Sequence, residues 1–294
     1  MNLLAVPNVS EGRDFAALDR LQESLGTEVI LLDRHTDVDH HRAVFTIGGP
    51  PADIEKSLVS LGKTTISEID MTSWGGIHPA IGSLDVCPVV WLDEADQERA
   101  AESALKVAGN LAELGVPVFL YGDLSASPER RERAFFREGG LDNLWQRMAS
   151  GELKPDFGPA APHPTAGGWL VTARPPLAAF NIELDTDDVE VAKKVAAEIR
   201  ESGGGLRGLR AIGLELSTGR AQVSMNVHDP VNLPLAVVVE AVRREAQRLG
   251  AAPVEAELIG LIPEAAIAGY PEDVPIRDFD PAFHVIERRM LRDR

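Results

Sequence analysis

The stretch from Trp74 to Val89 reads W-G-G-I-H-P-A-I-G-S-L-D-V-C-P-V. His78 stands among Gly75, Gly76, Pro79 and Gly82, a density of glycine and proline that helices and central strands hardly tolerate. The composition predicts a shaped loop feeding an apolar strand from Leu84 to Trp91. Histidine both takes and gives a proton near neutrality, and a rigid loop at a strand mouth is a common seat for acid–base chemistry. The alternative for His78 is a turn residue that bonds its own loop.

A second polar cluster holds His35, Asp37, Asp39, His40 and His41. Consecutive residues on one turn do not usually all reach one ion, and no HExxH or CxxC spacing accompanies them. Its Asp-His-His triplet resembles a phosphoesterase motif, so a metal-dependent hydrolase stands as a competing reading; otherwise this is a polar turn and no metal is expected. Arg42 follows at the start of an apolar strand. Its planar fork suits a carboxylate, and the alternative is a surface ion pair with Asp37 or Asp39. Cys87, the lone cysteine, reads as a small buried hydrophobe. Residues 151–168 carry too much proline and glycine for regular structure and read as a linker or a ligand-contacting loop.

The elements that must hold these residues follow from apolar spacing. Short strands are expected at 3–7, 29–33, 42–48, 84–91 and 116–122, with helices at 15–25, from Pro50 to about Leu61, and at 93–115. Two short helices fall at 130–137 and 143–148. The second half reads strand 177–184, helix 187–200, strands 209–216 and 220–227 joined by a Thr218-Gly219 hairpin, helix 234–249 and strand 253–261. That βαββαβ order is the ferredoxin-like unit, and the first half opens with the same succession. The expectation is an α+β chain of two ferredoxin-like subdomains, 1–176 and 177–294, forming two lobes with a ligand-binding seam.

With 44% hydrophobic residues over 294 positions the chain can build two cores. A net charge of −17 gives no basic footprint for nucleic acid. There is no apolar run long enough for a membrane span and no charged-then-apolar start for export. A soluble cytoplasmic protein is expected.

Taken together, V-P-N-V-S-E-G (6–12), H-H-R-A-V (40–44), H-P-A-I-G-S-L-D-V-C-P (78–88), F-L-Y-G (119–122), P-D-F-G-P (155–159), H-P-T-A-G (163–167), A-F-N-I (179–182), Q-V-S-M-N (222–226) and E-L-I-G-L-I-P (257–263) resemble glutamate formimidoyltransferase, the formiminotransferase part of formiminotransferase-cyclodeaminase. The resemblance implies a duplicated ferredoxin-like fold that forms a homodimer. It implies transfer of a formimino group from N-formimino-L-glutamate to tetrahydrofolate, the co-substrate, in histidine breakdown. The family's catalytic histidine falls on His78. Its folate-contacting loop falls on Gly158, Pro159, His163, Pro164, Thr165 and Gly167, while Arg42 with His41 beside it would grip the substrate carboxylate. Asp85 is a weaker candidate for orienting the His78 ring. Animal members carry Asn in place of His41 and Asp in place of His35. Two nearby alternatives are transfer of a formyl group from 5-formyltetrahydrofolate to glutamate, and folate binding without catalysis.

Overall fold

The computed structural model describes residues 3–292 and divides into two compact units, one ending at Pro175 and the other beginning at Pro176. In the first, β1 (Leu3–Ala5) and β2 (Asn8–Val9) are two pieces of one strand, interrupted at Val6-Pro7 because proline has no N–H for the ladder. Both pieces pair antiparallel with β4 (Arg42–Gly49) and with β5 (Leu84–Val90), while β3 (Ile30–Asp37) pairs with the far edge of β4. Beyond β5 the sheet turns parallel: β7 (Trp169–Arg174) lies between β5 and β6 (Val118–Leu120).

The sequence pattern did not mark β7. W-L-V-T-A-R is a six-residue run directly behind the Pro/Gly-rich loop. Its β-branched and aromatic content was the available signal. Its burial pattern explains its composition. β5 is buried at every position and β7 at all but the last, as parallel strands covered on both faces must be. On one face lie α1 (Phe15–Ser24), α2 (Pro51–Glu68) and α3 (Gln97–Ala112), whose Leu18, Leu58 and Leu111 share a core with Phe45, Val89 and Trp169. On the other, Phe136 of α4 (Arg133–Arg137) and Leu144 of α5 (Gly140–Ala149) pack with Val86, Phe119 and Leu170. The α1 start is set by Asp14, which accepts from the backbone N–H of Ala16 and Ala17. The helix expected from 93 begins instead with a 3-10 turn over Glu94–Asp96.

In the second unit, β8 (Ala178–Leu184), α6 (Val189–Ile199), β9 (Leu209–Glu215), β10 (Ala221–Val227), α7 (Leu235–Arg248) and β11 (Pro253–Ile259) follow the expected succession. They form an antiparallel sheet in the order β11-β8-β10-β9, with a tight turn at Gly219. Its core, including Phe180, Val223, Val195 and Val242, is drawn entirely from residues of this unit. Among the described residues, no helix is long and apolar enough to cross a membrane.

Candidate active site

A small crevice opens in the first unit, lined by residues from four segments: Asn8 to Ser10, the turn at His40 and Arg42, Trp74, His78 and Ala80 of the loop before β5, and Asp85. Two backbone arrangements shape it. The turn between β3 and β4 puts His40 inward, with His41 held at a positive φ of 50° behind it. The loop from Trp74 to Ser83 is tied on one side to β2, where Ser10 Oγ donates to the Gly82 carbonyl at 2.7 Å and Ser10 N to Ser83 O at 3.0 Å. On the other it is tied to the 163–167 turn, with Ser83 N donating to Ala166 O and Gly168 N to Ile81 O, both at 3.0 Å.

That second contact requires glycine. A Cβ on Gly82 would lie 2.2 Å from the Gly168 carbonyl oxygen. One on Gly167, at φ +69°, would lie 2.1 Å from that of Ile81. No side chain fits in either gap, so the His78 loop and the 163–167 turn run backbone to backbone.

His78 is half-buried in the crevice wall. Its Nδ1 stands 3.0 Å from the Pro79 carbonyl oxygen. A carbonyl can only accept, so Nδ1 carries the proton and Nε2 the lone pair; Nε2 makes no hydrogen bond among the described residues. Burial holds the His78 pKa well below the ordinary imidazole value, with the charges of Arg42, Arg137, His40 and Arg133 pushing the same way. At neutral pH this ring is an unprotonated base.

Arg42 donates to the Asn8 side-chain oxygen, and burial first, then Arg137, lowers its pKa to about 10, which leaves it charged at pH 7. Arg133 and Arg137 of α4 add to this cationic neighbourhood, and neither drew notice in the sequence, where they sit in an ordinary charged run. A positive cluster in so acidic a chain suits an anionic substrate. Asp85, only 3% exposed, accepts from the Ile81 N–H at 3.1 Å and pairs with Arg137. Its carboxylate braces the loop and the arginine and forms no bond to the His78 ring among the described residues, so the orienting role expected for it falls to the Pro79 carbonyl.

The other residues singled out in the sequence separate into supports and neighbours. His41 Nδ1 accepts from Gly12 N at 3.1 Å, and its ring stacks beside Trp74, whose indole N–H donates to the His41 carbonyl at 3.1 Å. It therefore positions the Trp74 wall from behind. Burial lowers its pKa, against the pull of Glu11. His163 Nδ1 accepts from the N–H of Ala166 at 3.1 Å and of Thr165 at 3.3 Å, and His163 and Gly167 exchange two backbone bonds, closing a tight turn over Pro164. The Thr165 carbonyl accepts from Met71 N at 2.8 Å. Gly158 and Pro159 lie further along the same loop, Gly158 against Val116 and Ala112 beside β6. The 163–167 turn thus abuts the His78 loop without lining the crevice. Cys87 is fully buried in β5, and burial pushes its thiol up to about 12, which makes it inert, as expected.

Residues 2–174 match the formiminotransferase domain, N-terminal subdomain, and residues 179–270 match the formiminotransferase domain. The chain is 38% identical over 291 residues to glutamate formimidoyltransferase of Streptococcus pyogenes serotype M1, covering 97% of each protein. It is 32% identical to glutamate formimidoyltransferase of Thermoplasma acidophilum over 97% of this chain and 96% of that one. It is 34% identical to formimidoyltransferase-cyclodeaminase of Sus scrofa over 89% of this chain and 50% of that longer protein. From Asn8 and Arg42 through His78 to the paired backbones at Gly82 and Gly167, the crevice is thus built within a chain that belongs to the formiminotransferase family.

Proposed function

We propose that this chain transfers a formimino group from N-formimino-L-glutamate to tetrahydrofolate, with His78 as the proton-transfer residue. The observation that carries the reading is a half-buried histidine in a cationic crevice with Nδ1 committed to Pro79 and Nε2 uncommitted. N5 of tetrahydrofolate attacks the amidine carbon and forms a tetrahedral intermediate, and N5 must then lose a proton as the glutamate nitrogen gains one. An unprotonated Nε2 takes the first; help of this kind is worth ~10²–10⁴ in rate, and alignment of the two substrates supplies much of the remainder.

The crevice takes the reacting amidine and a carboxylate at Arg42, with the folate extending outward along Gly158, Pro159, His163, Pro164, Thr165 and Gly167. The 163–167 turn abuts the His78 loop, which supports that path. The reading assigns the chemistry to an N-terminal subdomain 1–176 and takes both subdomains as ferredoxin-like, supported by the antiparallel order β5-(β1, β2)-β4-β3 in the first and β11-β8-β10-β9 in the second. It carries with it a homodimer acting in the cytoplasm, a setting that suits the unpaired Cys87. The deciding assay follows folate absorbance with formiminoglutamate plus tetrahydrofolate, beside 5-formyltetrahydrofolate plus glutamate. Turnover of the first pair is expected; turnover of the second pair alone would replace formimino by formyl transfer, and turnover of neither would end the reading.

A further inference from the structure

His40 is 3% exposed and lines the crevice. Its Nδ1 lies 2.5 Å from Asp37 Oδ2, while its backbone N–H donates to Asp37 Oδ1 at 2.9 Å, so one carboxylate fixes both the ring and the turn that carries it. Its Nε2 is buried and has no hydrogen-bond partner among the described residues. Leaving a buried polar atom unmet is costly, and such an atom in a crevice-lining side chain is commonly met by what enters the crevice. The ring centroid lies 6.0 Å from that of His78.

We propose that His40, clamped by Asp37, is a second catalytic residue, the acid that protonates the leaving glutamate nitrogen while His78 serves as base to the attacking one. This rests on the transferase reading. Two nitrogens exchange places on one carbon, and the two imidazoles have opposite surroundings. His78 is surrounded by Arg42, Arg133 and Arg137, which oppose a positive ring. His40 has the Asp37 carboxylate against Nδ1, so a proton on Nε2 completes an ion pair within the wall. The remaining charged groups along this wall are Arg42 and Asp85, and Asp85 is engaged by Arg137.

The step balances as follows. The folate N5 electron pair forms the new C–N bond, and the N5 proton passes to His78 Nε2. The bond from carbon to the glutamate nitrogen breaks with its electron pair on that nitrogen, which takes the proton from His40 Nε2. Glutamate leaves with a neutral amine. His78 then holds the extra proton and His40 lacks one, and solvent entering the emptied crevice returns both to their starting states.

A leaving nitrogen that is weakly basic needs no acid, which gives the test. His40→Gln and Asp37→Asn are assayed with formiminoglutamate and with an N-aryl formamidine, whose leaving amine is far less basic. With formiminoglutamate, His40→Gln should lower kcat by about 10² or more with KM little changed; with the aryl donor most of that loss should vanish. Asp37→Asn should show the same donor dependence with a smaller loss, and it decides the matter if His40→Gln does not fold. His78→Gln should lose equally on both donors. A loss at His40 and Asp37 that is equal on both donors, or no loss, overturns the proposal while wild-type turnover leaves the transferase reading standing. Absence of wild-type turnover with any formimino donor removes both.

Discussion

One ring nitrogen tied to a neighbouring carbonyl is enough to decide what His78 can do. With Nδ1 given to Pro79, only Nε2 is left for chemistry, and the pKa held below the usual range keeps it unprotonated at pH 7. His78→Gln keeps the size of the side chain and removes the base, so kcat should fall by ~10²–10⁴ while folate affinity, measured by fluorescence quenching, stays close to that of the parent. The depressed pKa predicts that the acid limb of kcat/KM lies below the ordinary imidazole value of about 6.5. Arg133→Gln removes one of the charges opposing the imidazolium, and the limb should then move to higher pH; an unmoved limb would mean that the pH profile reports another group. His78 was legible because glycine and proline around a histidine mark a built loop. His40 was visible only as one of several polar residues on a turn. That its partner is Asp37, and that its far nitrogen is buried at the crevice, depend on side-chain directions that spacing along a turn does not encode. Arg133 and Arg137 were hidden for the same reason: a charged short helix looks solvated until its neighbours are known.

At the scale of the elements, the loop that presents His78 depends on two braces. The first is the close backbone pairing at Gly82 and Gly167. Gly167→Ala combines a left-handed backbone with a clash against Ile81, and should cost roughly 2–4 kcal/mol, read as a drop in thermal midpoint together with lost activity. The second is the Asp85–Arg137 pair, whose side chains are 5% and 9% exposed. Arg137→Met would strand a buried carboxylate at a cost of about 3–5 kcal/mol. Urea unfolding should show that loss, whereas an Arg20→Met control at an exposed pair with Glu68 should change stability by less than about 1 kcal/mol. Most elements were readable from apolar period because each buries one face. β7 and the interruption at Pro7 were not, since a strand buried on both faces shows no alternation and a broken strand shows too short a run. The turn formed by His163 and Gly167 was readable as a loop, but its attachment to Ile81 and Ser83 joins positions some eighty residues apart, and local sequence carries no record of that pairing.

For the molecule as a whole, each unit closes its own core. Phe180 belongs to a buried cluster whose described members all come from the second unit, so Phe180→Ala, at about 3–5 kcal/mol, should speed hydrogen exchange in β8, β10 and β11 far more than in β5 and β7. Alkaline conditions test the other core. Cys87 titrates near its ordinary value in the unfolded chain and at about 12 when folded, so its contribution to stability is complete below about pH 9 and drains away as pH rises toward 12. Cys87→Ala should lose less stability than the parent between neutral and strongly alkaline melts. The place of β7 between β5 and β6 has a consequence for how the protein is made. A ribosome releases β5 and β6 long before Trp169–Arg174 emerges, and at ~5–20 residues per second the nascent chain carries the bare flank of β5 for roughly 4–17 s. During that wait an unmated ribbon, apolar but for Asp85, is open to any neighbouring chain, so yield in cells should respond more to chaperone supply and growth temperature than the finished protein's stability would suggest.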